Sequence, residues 1–211
     1  MDSVLKLRPE ELFFLGDLLD GQYIDYAYIE AMHEIEKNYD AMRAKALEDL
    51  ARAGIIRKRF SGAVTVMPEA EKLLRNVFGS EVSGEILLGI AGDSVTAVSH
   101  RYHFGEDSIT EIVTEGGDFT VSEATADSIR RVIAEAVGTH AADARAPEQP
   151  DTDRFSRMIS AKRAVVGAGL TQAAVYEQDG AVFCFPAGED APKTLTDTEA
   201  AELLYRTVTG E

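Results

Sequence analysis

Apolar positions along this chain fall into two rhythms. Up to about residue 79 they recur every three to four residues, the spacing of helices with one buried face. Pro9 suits a first helical turn, with Glu10 and Glu11 at the positive end of its dipole and Gly21 as the stop. Leu12, Leu15 and Leu19 line its stripe, widened by Phe14 and Leu18. A second helix is expected over Ile24 to Glu36, burying Ile24, Tyr28, Ala31 and Ile35. A third covers about Tyr39 to Ala53, with Met42, Ala46, Leu50 and Ala53 inward and Gly54 as its end. Ile55–Phe60 and Ala63–Met67 flank Ser61-Gly62, a hairpin signal. Pro68 opens a fourth helix that buries Ala70, Leu73, Leu74, Val77 and Phe78 and stops at Gly79.

Beyond residue 80 the period becomes two. Ile86, Leu88 and Ile90 alternate with Glu85, Leu87 and Gly89. Turns at Gly92-Asp93, Gly105–Asp107 and Gly116-Gly117 separate strands over Val95–Phe104, Ile109–Thr114 and Phe119–Val121, an antiparallel meander. Ala124 to Val137 is a helix closed by Gly138. Residues 139–153 are rich in Ala, Pro and Asp and form a long loop. A short helix is expected over Arg154 to Lys162, then strands near Ala164–Val166 and Ala173–Glu177. A turn at Asp179-Gly180 leads to Ala181–Phe185, apolar on both faces as a covered strand is. The last helix starts at the capping box Thr196–Glu199 and buries Ala200, Leu203, Leu204 and Val208.

These elements make an α+β chain in two parts. Residues 1–79 are a winged-helix-like helical segment with a hairpin. Residues 80–211 are a mostly antiparallel sheet with amphipathic helices, and the loop 139–153 lies between its halves. Residues 65–79, 120–138 and 194–210 each run from an extended piece through an amphipathic helix to a glycine. A duplication of strands-plus-helix halves over 81–138 and 164–210 stays open.

Charge narrows the function. The chain of 211 residues carries 21 basic and 37 acidic side chains, a net charge of −16. Residues 41–60 are locally basic, with Arg43, Lys45, Arg52, Arg57, Lys58 and Arg59 against Glu48 and Asp49. Three helices and a hairpin in this order are found in DNA-binding winged helices, whose third helix reads the major groove. On that alternative, a transcription regulator with a C-terminal sensing or dimerisation domain, the nucleic-acid contacts are Arg43, Lys45, Arg57, Lys58 and Arg59. The overall acidity and the lack on the helix of the cluster of Asn, Gln, Ser and Arg that reads base edges argue against it.

The chemistry of catalysis is thin. His100 and His103 are three apart in a strand, so they face opposite ways and do not chelate. His33 and His140 stand without an HExxH pattern. The single cysteine, Cys184, lies in an apolar strand, where a thiol packs as a small hydrophobe. Gly167-Ala168-Gly169 lacks the third glycine and following helix of a dinucleotide loop. The reading is therefore a non-enzyme with no metal, no cofactor and no catalytic residue. One cysteine suits a reducing cytoplasm. No apolar run approaches the roughly 20 residues that span a bilayer, so no membrane partner is expected.

The stretch EELFFLGDLLDG (10–21) and the later ALEDLARAGIIRKRFSGAVTVMPEAEKLLRNV (46–77) resemble the EspG-type accessory proteins of type VII (ESX/WXG100) secretion, in particular their shorter Gram-positive relatives. The resemblance covers the N-terminal third best and rests on hydrophobic pattern plus a few glycines. It implies a cytosolic, non-catalytic chaperone or adaptor with a mixed α/β fold of quasi-two-fold halves. It implies as partner a small helical secretion substrate, WXG100-like or related. It carries over no contact residues, and a homodimer is left open.

Overall fold

The computed structural model describes residues 4–21, 26–89, 98–189 and 191–211, with the side chains of 26–31 outside the description. Ile24, Tyr28, Ala31, Ile90 and the Gly92-Asp93 turn therefore lie outside the described residues or side chains. The described chain is α+β, with five α-helices and a large antiparallel sheet. The residues group into two compact units, 1–80 with 103–123 and 81–102 with 124–211.

In the first unit, β1 (Val4–Leu7) lies antiparallel to β7 (Asp118–Ala124), pairing Leu5 with Val121 and Leu7 with Phe119. Next to β7 come β6 (Ile109–Glu115) and the end of β5 (Val98–Phe104). The strand β1 was not expected from the sequence. Its four residues alternate exposed and buried, and its partner lies more than a hundred residues away, so no local signal announces it.

Helix α1 (Pro9–Leu18) follows, its first turn closed by Glu11, whose carboxylate accepts from the Arg8 backbone N–H at 2.7 Å. The two expected helices that come next are one element, α2 (Tyr26–Arg52), broken by non-helical angles at Asn38. The break falls between the expected Glu36 end and the expected Tyr39 start. The hairpin β2 (Ile56–Lys58) and β3 (Val64–Val66) and the helix α3 (Pro68–Gly79) stand where the pattern placed them. One core joins the elements: Leu5 and Leu7, Leu12 and Leu15, Leu47 and Leu50, Ile55, Ile56 and Val66, Leu73, Leu74 and Val77, Ile112, Phe119 and Val121.

In the second unit the start of β5 adjoins β4 (Val82–Gly89), and β4 is followed by β8 (Arg157–Val165), β9 (Gly169–Gln178), β10 (Ala181–Cys184) and β11 (Lys193–Thr194). The short helix expected over Arg154–Lys162 is corrected by β8. Ala, Lys and Arg favour helix locally, but Ile159 and Ala161 are buried at a spacing of two and the backbone pairs on both sides, with β4 and β9. Only Thr152–Arg154 make a short 3-10 turn. The Gly167–Gly169 run is the β8–β9 turn, with positive φ at both glycines.

Two helices cover one face of this sheet. Ile86, Ala161 and Ala173 stand in one row and Leu88, Ile159 and Val175 in the next. Against them pack α4 (Ala126–Val137), burying Ile129, Ile133, Ala136 and Val137, and α5 (Asp197–Thr209), burying Ala200, Leu204, Tyr205 and Val208. Arginines from the same face tie down the helix ends: Arg157 Nη1 donates to the Ala136 carbonyl at 2.6 Å, and Arg163 Nη1 donates to that of Thr209. The capping box of α5 forms as expected, with Glu199 N–H donating to Thr196 Oγ1 at 3.2 Å and Thr196 N–H to Glu199 Oε2 at 2.8 Å. No helix among the described residues is long and apolar enough to cross a membrane.

Candidate functional site

The basic residues singled out above divide into two groups. Arg43 and Lys45 are exposed on α2, seven or more residues before Arg52, which is about two helical turns. Arg52 itself is paired, with Glu48 at 2.9 Å and Asp49 at 2.9 Å, so the end of that helix is electrically balanced. Arg57 and Lys58 lie on β2 and Arg59 at its tip; Arg57 through Ala63 are all exposed. Among the described residues no carboxylate is paired with these three. Backbone bonds fix the turn: Arg59 N–H donates to the Ala63 carbonyl at 2.8 Å and Gly62 N–H to that of Arg59 at 2.9 Å. Gly62 has φ +83°, a conformation that favours glycine. The turn leaves Phe60 fully exposed, at 115%. Sequence reasoning passed over Phe60. Its signal was a large apolar residue at a turn, where polar residues are the rule.

The second unit presents a different surface on the sheet face away from α4 and α5. Met158, Tyr176 and Phe183 are in register across β8, β9 and β10, with Leu87, Ser160 and Ala174 in the next row. Phe155 and Phe185 complete an aromatic cluster. Ring centroids are 5.0 Å apart for Phe155–Tyr176, 5.6 Å for Tyr176–Phe185 and 6.0 Å for Phe183–Phe185. These are offset and edge-on packings that hold the rings in place. Phe183 is covered by its neighbours, but Phe185 and Met158 remain 40% and 36% exposed. The cluster is largely apolar and open on one side.

A charged row borders this face. Glu85 pairs across the strands with Lys162. Its Oε1 accepts from Ser99 Oγ at 2.8 Å and from Arg101 Nη2 at 3.0 Å. Burial pushes the Glu85 carboxyl up, but the Arg101 charge, the two hydrogen bonds and Lys162 outweigh it and hold it below the usual carboxylate range.

Other polar contacts fasten the loop 139–153. The His140 backbone N–H donates to Asp197 Oδ2 at 3.0 Å, and its Nδ1 is 2.8 Å from Asp197 Oδ1. This contact pins the start of loop 139–153 to the first turn of α5. The bond from the His140 backbone also holds the Asp197 carboxyl low. Farther along, Ala146 N–H donates to Thr194 Oγ1 and Asp151 N–H to Gln178 Oε1, so the loop is fastened along its length. Burial pushes the Cys184 thiol up, the opposite of a reactive cysteine. His103 is buried and His100 half-buried in β5. Among the described residues no group of three or more His, Cys, Asp or Glu is placed to hold a metal ion. An open cleft of about 320 Å³ between α4 and α5 is lined by Ile133, Val137 and Ala201, with Arg130 stacked 3.5 Å over the Tyr205 ring at its edge.

No protein-family model and no curated protein matches the chain. Among solved structures it is similar to the type VII secretion system chaperone EspG5 of Mycobacterium tuberculosis, determined in complex with the PE25-PPE41 dimer. The superposition covers 98% of this chain and 95% of that one with a TM-score of 0.65, at 10% sequence identity. Over nearly its whole length, then, the chain has the fold of a type VII secretion chaperone.

Proposed function

We propose that this protein is a non-catalytic chaperone or adaptor that binds a small helical substrate of a type VII secretion system in the cytoplasm. The observation that carries the reading is the fold shared with EspG5 over 98% of the chain. The open aromatic face supports it. A helical hairpin destined for export bears an apolar stripe that is unsafe in water, and rigid aromatic side chains with a thioether are good anchors for such a stripe. On this reading Met158, Phe185, Tyr176 and Leu87 form the seat, bordered by the Glu85–Arg101 pair. The net charge of −16 keeps the complex dispersed. The N-terminal helices act as a protein-contact module, and the strands-plus-helix halves derive from a duplication.

The test is co-expression of the full chain with each WXG100-like or related helical protein encoded beside it, followed by affinity purification and light scattering. A 1:1 or 2:2 complex that is lost in Met158→Glu and retained in Glu202→Gln supports the reading. Failure to form a complex with every such protein overturns it.

A further inference from the structure

We propose that the β2–β3 hairpin is a docking tip for an anionic lipid bilayer. The inference goes beyond the substrate-binding reading and does not rest on it, because none of the residues belongs to the aromatic face. Three observations meet at the tip. Phe60 is fully exposed. Arg57, Lys58 and Arg59 precede it directly, and seven consecutive residues, 57–63, are exposed. The rest of the chain is strongly acidic, so these cations form a local reversal of sign rather than part of a general field.

An aromatic residue flanked by Lys and Arg is the chemistry of an interfacial anchor. The ring enters the headgroup–acyl boundary and the cations meet lipid phosphates. Charge complementarity selects an anionic surface. The apolar tip favours lipid over duplex nucleic acid, whose apolar contacts in the major groove are confined to scattered thymine methyls. The small footprint selects lipid over a folded protein. A tip of seven residues is far short of the roughly 800 Å² per partner that a stable protein interface needs, whereas a bilayer makes no demand for shape complementarity. The expectation of no membrane partner rested on the lack of a spanning segment, which such a tip does not require. Repulsion between the acidic body and the bilayer is screened beyond about 10 Å at moderate salt, so binding is weak and reversible, and it is set by the tip.

The chain contains no tryptophan, so Phe60→Trp places a single reporter at the tip. The full-length variant is mixed with phosphatidylcholine vesicles with and without phosphatidylglycerol, at low and high salt. The expected result is a blue-shifted emission and co-sedimentation with the anionic vesicles only, both lost at high salt. Replacing Arg57, Lys58 and Arg59 together by Gln should lower partitioning about a hundredfold, at roughly fivefold per cation. Phe60→Ala should lower it as well while leaving the fold, read by circular dichroism, unchanged. The proposal is overturned by no binding to anionic vesicles at low salt, by equal binding of the triple variant, or by an emission shift with duplex DNA or a protein but not with vesicles. Substrate binding, read separately with Met158→Glu, stands or falls independently of these outcomes.

Discussion

Adjacent residues on β4 offer a sharp test of the register. Ile86 is fully buried, lies opposite Ala161 and faces the helix-covered side of the sheet; Leu87 is half-buried, lies opposite Ser160 and faces the open side. Ile86→Ala removes three buried carbons, about 2.4 kcal/mol at about 0.8 per methylene. The cavity cannot close easily. Ala161 opposite it and Ala173 one strand farther on have no side chain long enough to fill it. A cavity contribution of about 1 kcal/mol brings the expected loss to about 3–4 kcal/mol, within the range for buried Ile-to-Ala changes. Leu87→Ala loses only part of its contact with water-excluded surface and should cost about 1 kcal/mol. Urea unfolding followed by far-ultraviolet circular dichroism measures both, with the denaturant slope held constant between variants as the check that stability alone has changed. The proposed seat adds a second contrast: Leu87→Ala should weaken substrate binding without unfolding the chain. Equal destabilisation by the two variants would refute the assignment of faces, since a slip of one residue exchanges them.

Three further outcomes are expected. Arg8 contacts Glu11 at 2.9 Å and Asp49 at 2.6 Å while Glu11 is buried, so Arg8→Met should cost about 1–2 kcal/mol in thermal or chemical unfolding, discounted for the one-third exposure of the arginine. In Arg8→Met/Glu11→Gln the loss should be smaller than in Arg8→Met alone. Because the folded state holds the Glu85 carboxyl below its unfolded value, its contribution is present at neutral pH and fades as pH falls through the acid range; Glu85→Gln should flatten the loss of stability between about pH 5 and 3, measured by urea midpoints. Thr196→Ala removes the acceptor for the Glu199 N–H and should cost about 1 kcal/mol, with faster amide exchange confined to the first turn of α5.

Elements that bury one face by themselves were legible in the sequence. The stripes of α3, α4 and α5, the hairpin around Ser61-Gly62 and the cap at Thr196 need only local spacing and local hydrogen bonds. The two helices expected over 24–36 and 39–53 leave their gap at the break at Asn38, although Ile35, Met42 and Ala46 keep helical spacing across it. Strand β8 was not legible, since Ala161, Lys162 and Arg163 prefer helix until β4 and β9 pair with them. The aromatic seat was illegible for a related reason. Phe155, Tyr176, Phe183 and Phe185 lie on separate pieces of chain, and only the register of β8, β9 and β10 gathers them with Met158. The basic run 57–59 could be read directly, yet its meaning changes once Phe60 is seen to stand free beside it.

The pairing of β1 with β7 has a consequence for how the molecule comes into being. Leu5 and Leu7 find their hydrogen-bonding partners, Val121 and Phe119, only after more than half of the chain has been made. During synthesis the amino-terminal helices must therefore wait with part of their apolar floor missing. A fragment stopped at residue 80 should aggregate, and one extended through residue 124 regains the missing strand.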